Sequence, residues 1–274
     1  MTFKQRVFQW ALLTIFMISV GSMNLFAEES PIEEPLSQLI ENETALPRKV
    51  DFWSSLANGM VVQELKADGK LVGSKESKRM FSKGDIVYIQ LSDEGASSNE
   101  WILFRKVKKV RHPGSGKSLG DLIEITGALK VLERNGHTAT AQIVHSKEAI
   151  SITDEIAALG TLIPPSPPTE QASLDKKTGV IAEVRDDRLS SGEHDIVYID
   201  QGWKDGIFPG DQFEVLHGNE KNRLGFSGDA QIPQRSVGRL LILFSQEQTA
   251  TARIISSSEP ILRGDALQYL PRNR

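Results

Sequence analysis

Cysteine is absent from all 274 residues. Its absence excludes disulfides, thiolate metal sites, cysteine nucleophiles and a lipidated cysteine anchor. Aromatic residues are scarce, at 7%. Trp53, Trp101 and Trp203 are the available members of any sugar-stacking platform; they show no regular spacing and read as core or edge packing. A positive excess is also missing. The net charge is −4, and about −6 without Lys4 and Arg6. Such a chain has no electrostatic route to nucleic acid or to anionic lipid. His112, His137, His145, His194 and His217 form neither an HExxH motif nor an i, i+4 pair, and no G-x-S-x-G elbow occurs. The reading is of a protein that is not an enzyme, with no catalytic residue, metal or cofactor.

One apparent motif fails on inspection. Gly114-Ser115-Gly116-Lys117-Ser118 has the outline of a phosphate loop, but Arg111 stands where the pattern needs glycine. The residues from Leu119 to Ile125 alternate like a strand, so no helix N-terminus is available to hold a phosphate.

What the chain does have is a repeat. Gly127 to Asp154 and Gly238 to Asp265 align without a gap, with 12 identities in 28 positions that include the block Thr138 to Ala141 against Thr249 to Ala252. Each copy reads as a hairpin with an apolar first arm and an alternating second arm. The polar turn falls at Ser245 to Gln248, and at Glu133 to His137 in the earlier copy. Alanines recur on one face (Ala139 and Ala141; Ala250 and Ala252), which implies close approach of other strands in a small barrel or tight sandwich. Gly84-Asp-Ile-Val-Tyr-Ile pairs with His194-Asp-Ile-Val-Tyr-Ile as a strand entered from a turn, its Asp bonding the turn backbone. One inserted residue then aligns Ile102 with Phe213, and the Gly-Asp pairs at 84, 120, 210, 228 and 264 read as turns.

The resulting organisation is mainly β, with two related small barrel- or sandwich-like domains. Residues 1–27 read as a signal peptide: Lys4 and Arg6, then the apolar run Val7 to Val20, then Ala27. Residues 28–49 are a Glu- and Pro-rich disordered spacer, 50–160 the first β-domain, 161–177 a Pro-rich linker and 178–274 the second β-domain. Matching insertions follow in both copies, Lys106 to Gly120 and Gly218 to Ser236, and such insertions often sit on a functional face. The first holds a basic stripe, Arg105, Lys106, Lys108, Lys109, Arg111 and Lys117. It reads as a solvated hairpin flank with Val107 and Val110 turned inward, or as a contact stripe for a polyanion such as a wall glycan.

Three stretches of the first copy carry a family resemblance: Gly84-Asp-x-Val-Tyr-Ile89, Pro113-x-x-Gly116-x-x-x-Gly120, and the Gly127 hairpin ending in Ala-Thr-Ala-x-Ile. They resemble the region that follows the LysM module in bacterial periplasmic LysM proteins. The second copy, from Asp195 to Asp265, is also similar to the C-terminal domain of flagellar assembly protein T. No LysM sequence is present, so no peptidoglycan-binding residue is carried over. The resemblance implies a non-catalytic β protein of the periplasm or cell envelope. Its partners would be envelope proteins or cell-wall glycan, with membrane contact only through an uncleaved signal segment. A part in flagellar or envelope assembly through protein contacts is the alternative.

Overall fold

The computed structural model describes residues 52–92, 98–166, 177–217 and 234–271. The expected signal segment, the spacer, the centre of the Pro-rich connector and the residues from 218 to 233 lie outside the described residues. The protein is mainly β. A short helix, α1 (Phe52–Leu56), precedes β1 (Met60–Val62), β2 (Gly69–Ser74), β3 (Met80–Phe81), β4 (Ile86–Leu91), β5 (Glu100–Arg111), β6 (Ser118–Asn135), β7 (Thr138–Ser146), β8 (Ile150–Ser151) and β9 (Glu155–Ala158). Then come β10 (Thr178–Val184), β11 (Ile196–Ile199), β12 (Gln212–His217), β13 (Arg235–Ser245), β14 (Ala250–Ser257) and β15 (Ala266–Leu270).

The last six strands form a closed barrel in the order β10-β11-β14-β13-β12-β15. Residues 60–158 form a seven-stranded sheet, in which an additional β6–β7 pairing closes the ring β2-β4-β7-β6-β5-β9. The two rings have the same cyclic order, and every pairing in both is antiparallel. Closure leaves no free sheet edge within a ring. The alanines point inward, as their alternation implied. Ala139 and Ala141 pack with Leu71, Val87, Ile89, Trp101 and Leu129 inside the first ring. Ala250 and Ala252 pack with Ile181, Val197, Ile199, Phe213 and Leu240 inside the second. Their small size lets the opposite wall approach.

Register corrects the sequence alignment at one strand. Trp101 lies opposite Leu129 as Phe213 lies opposite Leu240, and Leu103 opposite Gly127 as Val215 opposite Gly238. Trp101, not Ile102, is therefore the counterpart of Phe213. A one-residue slip exchanges the two faces of a strand, and Ile102 faces outward into a different cluster. The first hairpin is also tighter than expected: its strands extend to Asn135 and from Thr138, so only Gly136 and His137 form the turn.

One device recurs at the turns. Asp85, Asp154, Asp195, Asp211 and Asp265 each accept, through Oδ2, the backbone N–H three residues earlier, at 2.7–3.1 Å. The preceding residue takes a positive φ at Gly84, His194, Gly210 and Gly264. Gly120 breaks the expected pattern. It lies inside β6, where an added Cβ would stand 1.9 Å from the carbonyl oxygen of Val62 on β1. It marks a close backbone crossing, not a turn. Gly228 lies outside the described residues.

The described residues group as one compact unit. The outer half of the β5–β6 hairpin, with β1 laid along β6, forms an arm against the second barrel. Val61, Val110, Leu119 and Leu122 pack there on Ala182, Ile196, Tyr198 and Leu243. Hydroxyls complete the contact. Tyr198 Oη donates to Asn58 O at 3.0 Å, Thr251 Oγ1 to Gly59 O at 2.8 Å and Thr249 Oγ1 to Val61 O at 2.6 Å.

Burial pushes the Tyr198 phenol above its ordinary value of 10.0. The sign follows. Above pH 10 the unfolded tyrosine loses its proton while the folded one keeps it, so the folded state binds more protons and stability falls as pH rises. The urea midpoint should drop between pH 9 and pH 11, and Tyr198→Phe should flatten that drop while costing about 1 kcal/mol at neutral pH. An equal drop in the phenylalanine variant would exclude Tyr198 as the cause.

Candidate functional site

The basic stripe follows from β5. Five of its six members lie on that strand, and Lys117 lies in the turn before β6. Arg105 donates from Nε and Nη2 to Asp154 Oδ1 at 3.1 and 2.8 Å. Lys106 pairs with Glu155 at 3.1 Å and Lys108 with Glu183 at 3.3 Å. Arg111 donates to Gly116 O at 3.3 Å. Lys109 and Lys117 are exposed and hold no ion pair with a described residue. The stripe therefore splits: most members bind the protein itself, and two face solvent. Val110 is turned inward, against the second barrel. Val107 is not; it is 45% exposed, because the register shift between Lys106 and Lys108 disturbs the alternation.

The tip of this arm accounts for the apparent phosphate loop. His112 Nδ1 accepts the backbone N–H of Gly114 at 3.0 Å and of Ser115 at 3.1 Å. The amides that would cradle a phosphate are thus occupied, and Nε2 is left as the protonated nitrogen facing Asp200 Oδ2 at 3.3 Å. Burial raises the pKa of that Asp200. Arg263 donates to Arg111 O at 2.7 Å and to Ala182 O at 2.9 Å. The Lys106 to Gly120 segment, read from sequence as a matching insertion of the kind that often sits on a functional face, packs as an arm on the second barrel.

An acid–histidine contact is present that spacing did not reveal. His217 Nε2 lies 3.0 Å from Asp265 Oδ2 and its Nδ1 3.3 Å from Glu259 Oε2. Arg235 also binds Glu259, at 2.8 Å to Oε2, and its hydrogen bond holds that carboxyl below its usual range. Register makes His217 the counterpart of Arg105, and Asp265 that of Asp154. Both ring nitrogens face carboxylates, so the imidazole ties its strand to the turn at Asp265 as Arg105 ties its strand to Asp154.

A further charged feature is a cavity of about 390 Å³ lined by Asn58, Arg185, Asp186, Arg188, His194, Asp195, Ile196 and Arg253. Asp186 (φ 62°) and His194 (φ 72°) are the non-glycine residues with positive φ among the described residues, and both line it. At His194 this is the turn conformation that glycine takes before Asp85, Asp211 and Asp265. Arg188 pairs with Asp195 at 3.0 Å, and Arg185 lies 3.7 Å from Glu148 and 3.6 Å from Asp186. Arg253 is half-buried and holds no ion pair with a described residue. Burial, and then the nearby Arg185 charge, lower the Lys147 pKa. The corner is electropositive, suited to a carboxylate or another small anion. Sequence reading passed over Arg253 because its counterpart in the first copy is Gln142, so the repeat gave no signal there.

Among the described residues no cluster of three His, Asp or Glu could hold a metal ion, and no helix is long and apolar enough to cross a membrane. The chain matches no family model. No curated protein is significantly similar to it.

Proposed function

We propose that this is an exported, non-catalytic binding or scaffold protein of the cell envelope, built from two copies of one β-barrel domain joined by the Pro-rich linker. Export rests on the sequence from Lys4 to Ala27. The observation that carries the reading is how the polar chemistry is used. The turn aspartates close their own loops, and the ring interiors are filled by apolar side chains, so the outer surface is left to do the work. On that surface the arginine-lined cavity suits the carboxylates of a cell-wall polymer, with Lys109 and Lys117 adding long-range attraction. The alternative, assembly through protein contacts, is favoured by Val72, Tyr88 and Leu132, which are apolar and exposed on the first ring.

Co-sedimentation with purified sacculi tests the first reading. The full chain should pellet at low salt and be released at high salt. Arg253→Gln, which installs the residue of the first copy, should weaken binding by about tenfold, the ratio that corresponds to ~1.4 kcal/mol. Absence of pelleting at low salt removes the glycan reading and leaves protein contacts.

A further inference from the structure

The two rings are equivalent strand for strand, so each outer position on one has a counterpart on the other. The second barrel covers its β10–β11–β14–β13 face with the arm: Ala182, Tyr198 and Leu243 are buried there at 0%, 1% and 5% exposure. Their counterparts on β2, β4 and β6 are Val72, Tyr88 and Leu132. Val72 and Ala182 are both bulge residues, skipped by the register between 71 and 73 and between 181 and 183. Leu132 and Leu243 are likewise both skipped, between 131 and 133 and between 242 and 244. Tyr88 faces Thr140 across the ladder, as Tyr198 faces Thr251. Yet Val72, Tyr88 and Leu132 are 37%, 37% and 55% exposed. The hydroxyls of Tyr198, Thr249 and Thr251 each donate to the arm. Those of Tyr88, Thr138 and Thr140 hold no hydrogen bond with a described residue. The first ring therefore repeats a docking face that stays exposed.

The same comparison shows which occupant fits. Beside the shared residues, the second barrel has Leu241 and Phe244, both packed against apolar clusters at the junction. The first ring has Lys130 and Glu133 at those positions. Lys130 lies opposite Gln142 and Glu133 opposite Thr140, as Leu241 lies opposite Arg253 and Phe244 opposite Thr251. A second apolar arm would bury these two charges unpaired, which is costly. Lys130 and Glu133 flank the exposed Leu132 on one strand with opposite signs, and neither is in an ion pair with a described residue. A two-fold axis near Leu132 sets Lys130 of each chain against Glu133 of the other. Isologous contacts of this kind are the commonest in homo-oligomers.

We infer that the β2–β4–β7–β6 face of the first ring is a self-association surface, where two copies of this chain meet about a two-fold axis at Leu132, apolar at the centre and closed by reciprocal Lys130–Glu133 pairs. The inference deepens the protein-contact reading and does not depend on the arginine-lined cavity.

The natural lack of cysteine makes the test direct. In the full chain, Leu132→Cys should give a disulfide-linked dimer under mild oxidation. Val107→Cys, 45% exposed against 55% for Leu132 but on the arm, should give at least about fivefold less. Adding Lys130→Glu to Leu132→Cys should suppress the dimer through like-charge contact, and adding Glu133→Lys as well should restore it. Equal cross-linking at 107 and 132, or suppression without restoration, overturns the proposal. If the Leu132→Cys thiol captures a protein of different mass in place of a second copy, that also overturns it, and assigns the face to a foreign partner. The sacculus assay with Arg253→Gln reads the other surface, so failure of one proposal leaves the other intact.

Discussion

Gly120→Ala is expected to lower the unfolding free energy by about 4 kcal/mol, near the top of the range for single substitutions, read as a shift in the urea midpoint. Two effects add. Gly120 has φ 126°, a region closed to side chains, and an added Cβ would lie 1.9 Å from Val62 O and 2.4 Å from Val62 C. Those are backbone atoms of a paired strand and cannot swing aside. Relief requires β1 to leave β6, and β1 supplies Val61 to the cluster that joins arm to barrel. Gly116→Ala is the control. Gly116 also has a positive φ, 70°, but nothing lies within 4 Å of its would-be Cβ, so only the backbone cost of about 1 kcal/mol applies. Equal losses in the two variants would mean that the crossing of β1 over Gly120 does not constrain the fold.

Asp154→Ala is expected to cost about 3 kcal/mol, with a midpoint shift clearly larger than that of Asp85→Ala. Asp154 is fully buried and takes two hydrogen bonds from Arg105 and one from the Ser151 N–H. Its removal strands all three donors. Arg105 is 41% exposed, so water takes over part of the loss. Asp85 makes the equivalent turn, and its hydrogen bond from Ser82 holds its pKa below the ordinary value, but its ion-pair partner is an exposed Lys78. Arg105→His, which copies the second barrel, should retain part of the stability. A loss from Arg105→His as large as that from Asp154→Ala would show that only arginine serves there.

Much of the fold was legible because alternate residues of the repeat point inward. Ala139, Ala141, Ala250 and Ala252, with Val87, Ile89, Val197 and Ile199, face a core, and Gly127 and Gly238 meet a close backbone, where substitution is restricted. The turn role of Asp85 and Asp195 followed from their place before a β run. What stayed hidden depends on bulges. A register shift at Lys106–Lys108 leaves no trace in composition, yet it turns Val107 outward. The partners of the basic stripe were hidden for a related reason. Sequence shows charges along a strand but not the acids that folding brings from 49 residues away, as for Arg105 and Asp154. Gly120 read as a turn because a glycine before aspartate does so at three other places, and only the crossing strand shows otherwise.

The bond from Thr249 to Val61 spans 188 residues. A ribosome adding about 5–20 residues per second reaches the threonine roughly 10–40 s after the valine. The first ring can close within that interval, but the tripeptide Met60-Val61-Val62 has to wait on its flank with its oily side uncovered until the far barrel is finished. The joining of arm to second barrel therefore waits for β13 and β14, long after β1 has been made. Any factor that escorts the newborn chain has that brief, sticky edge to hold.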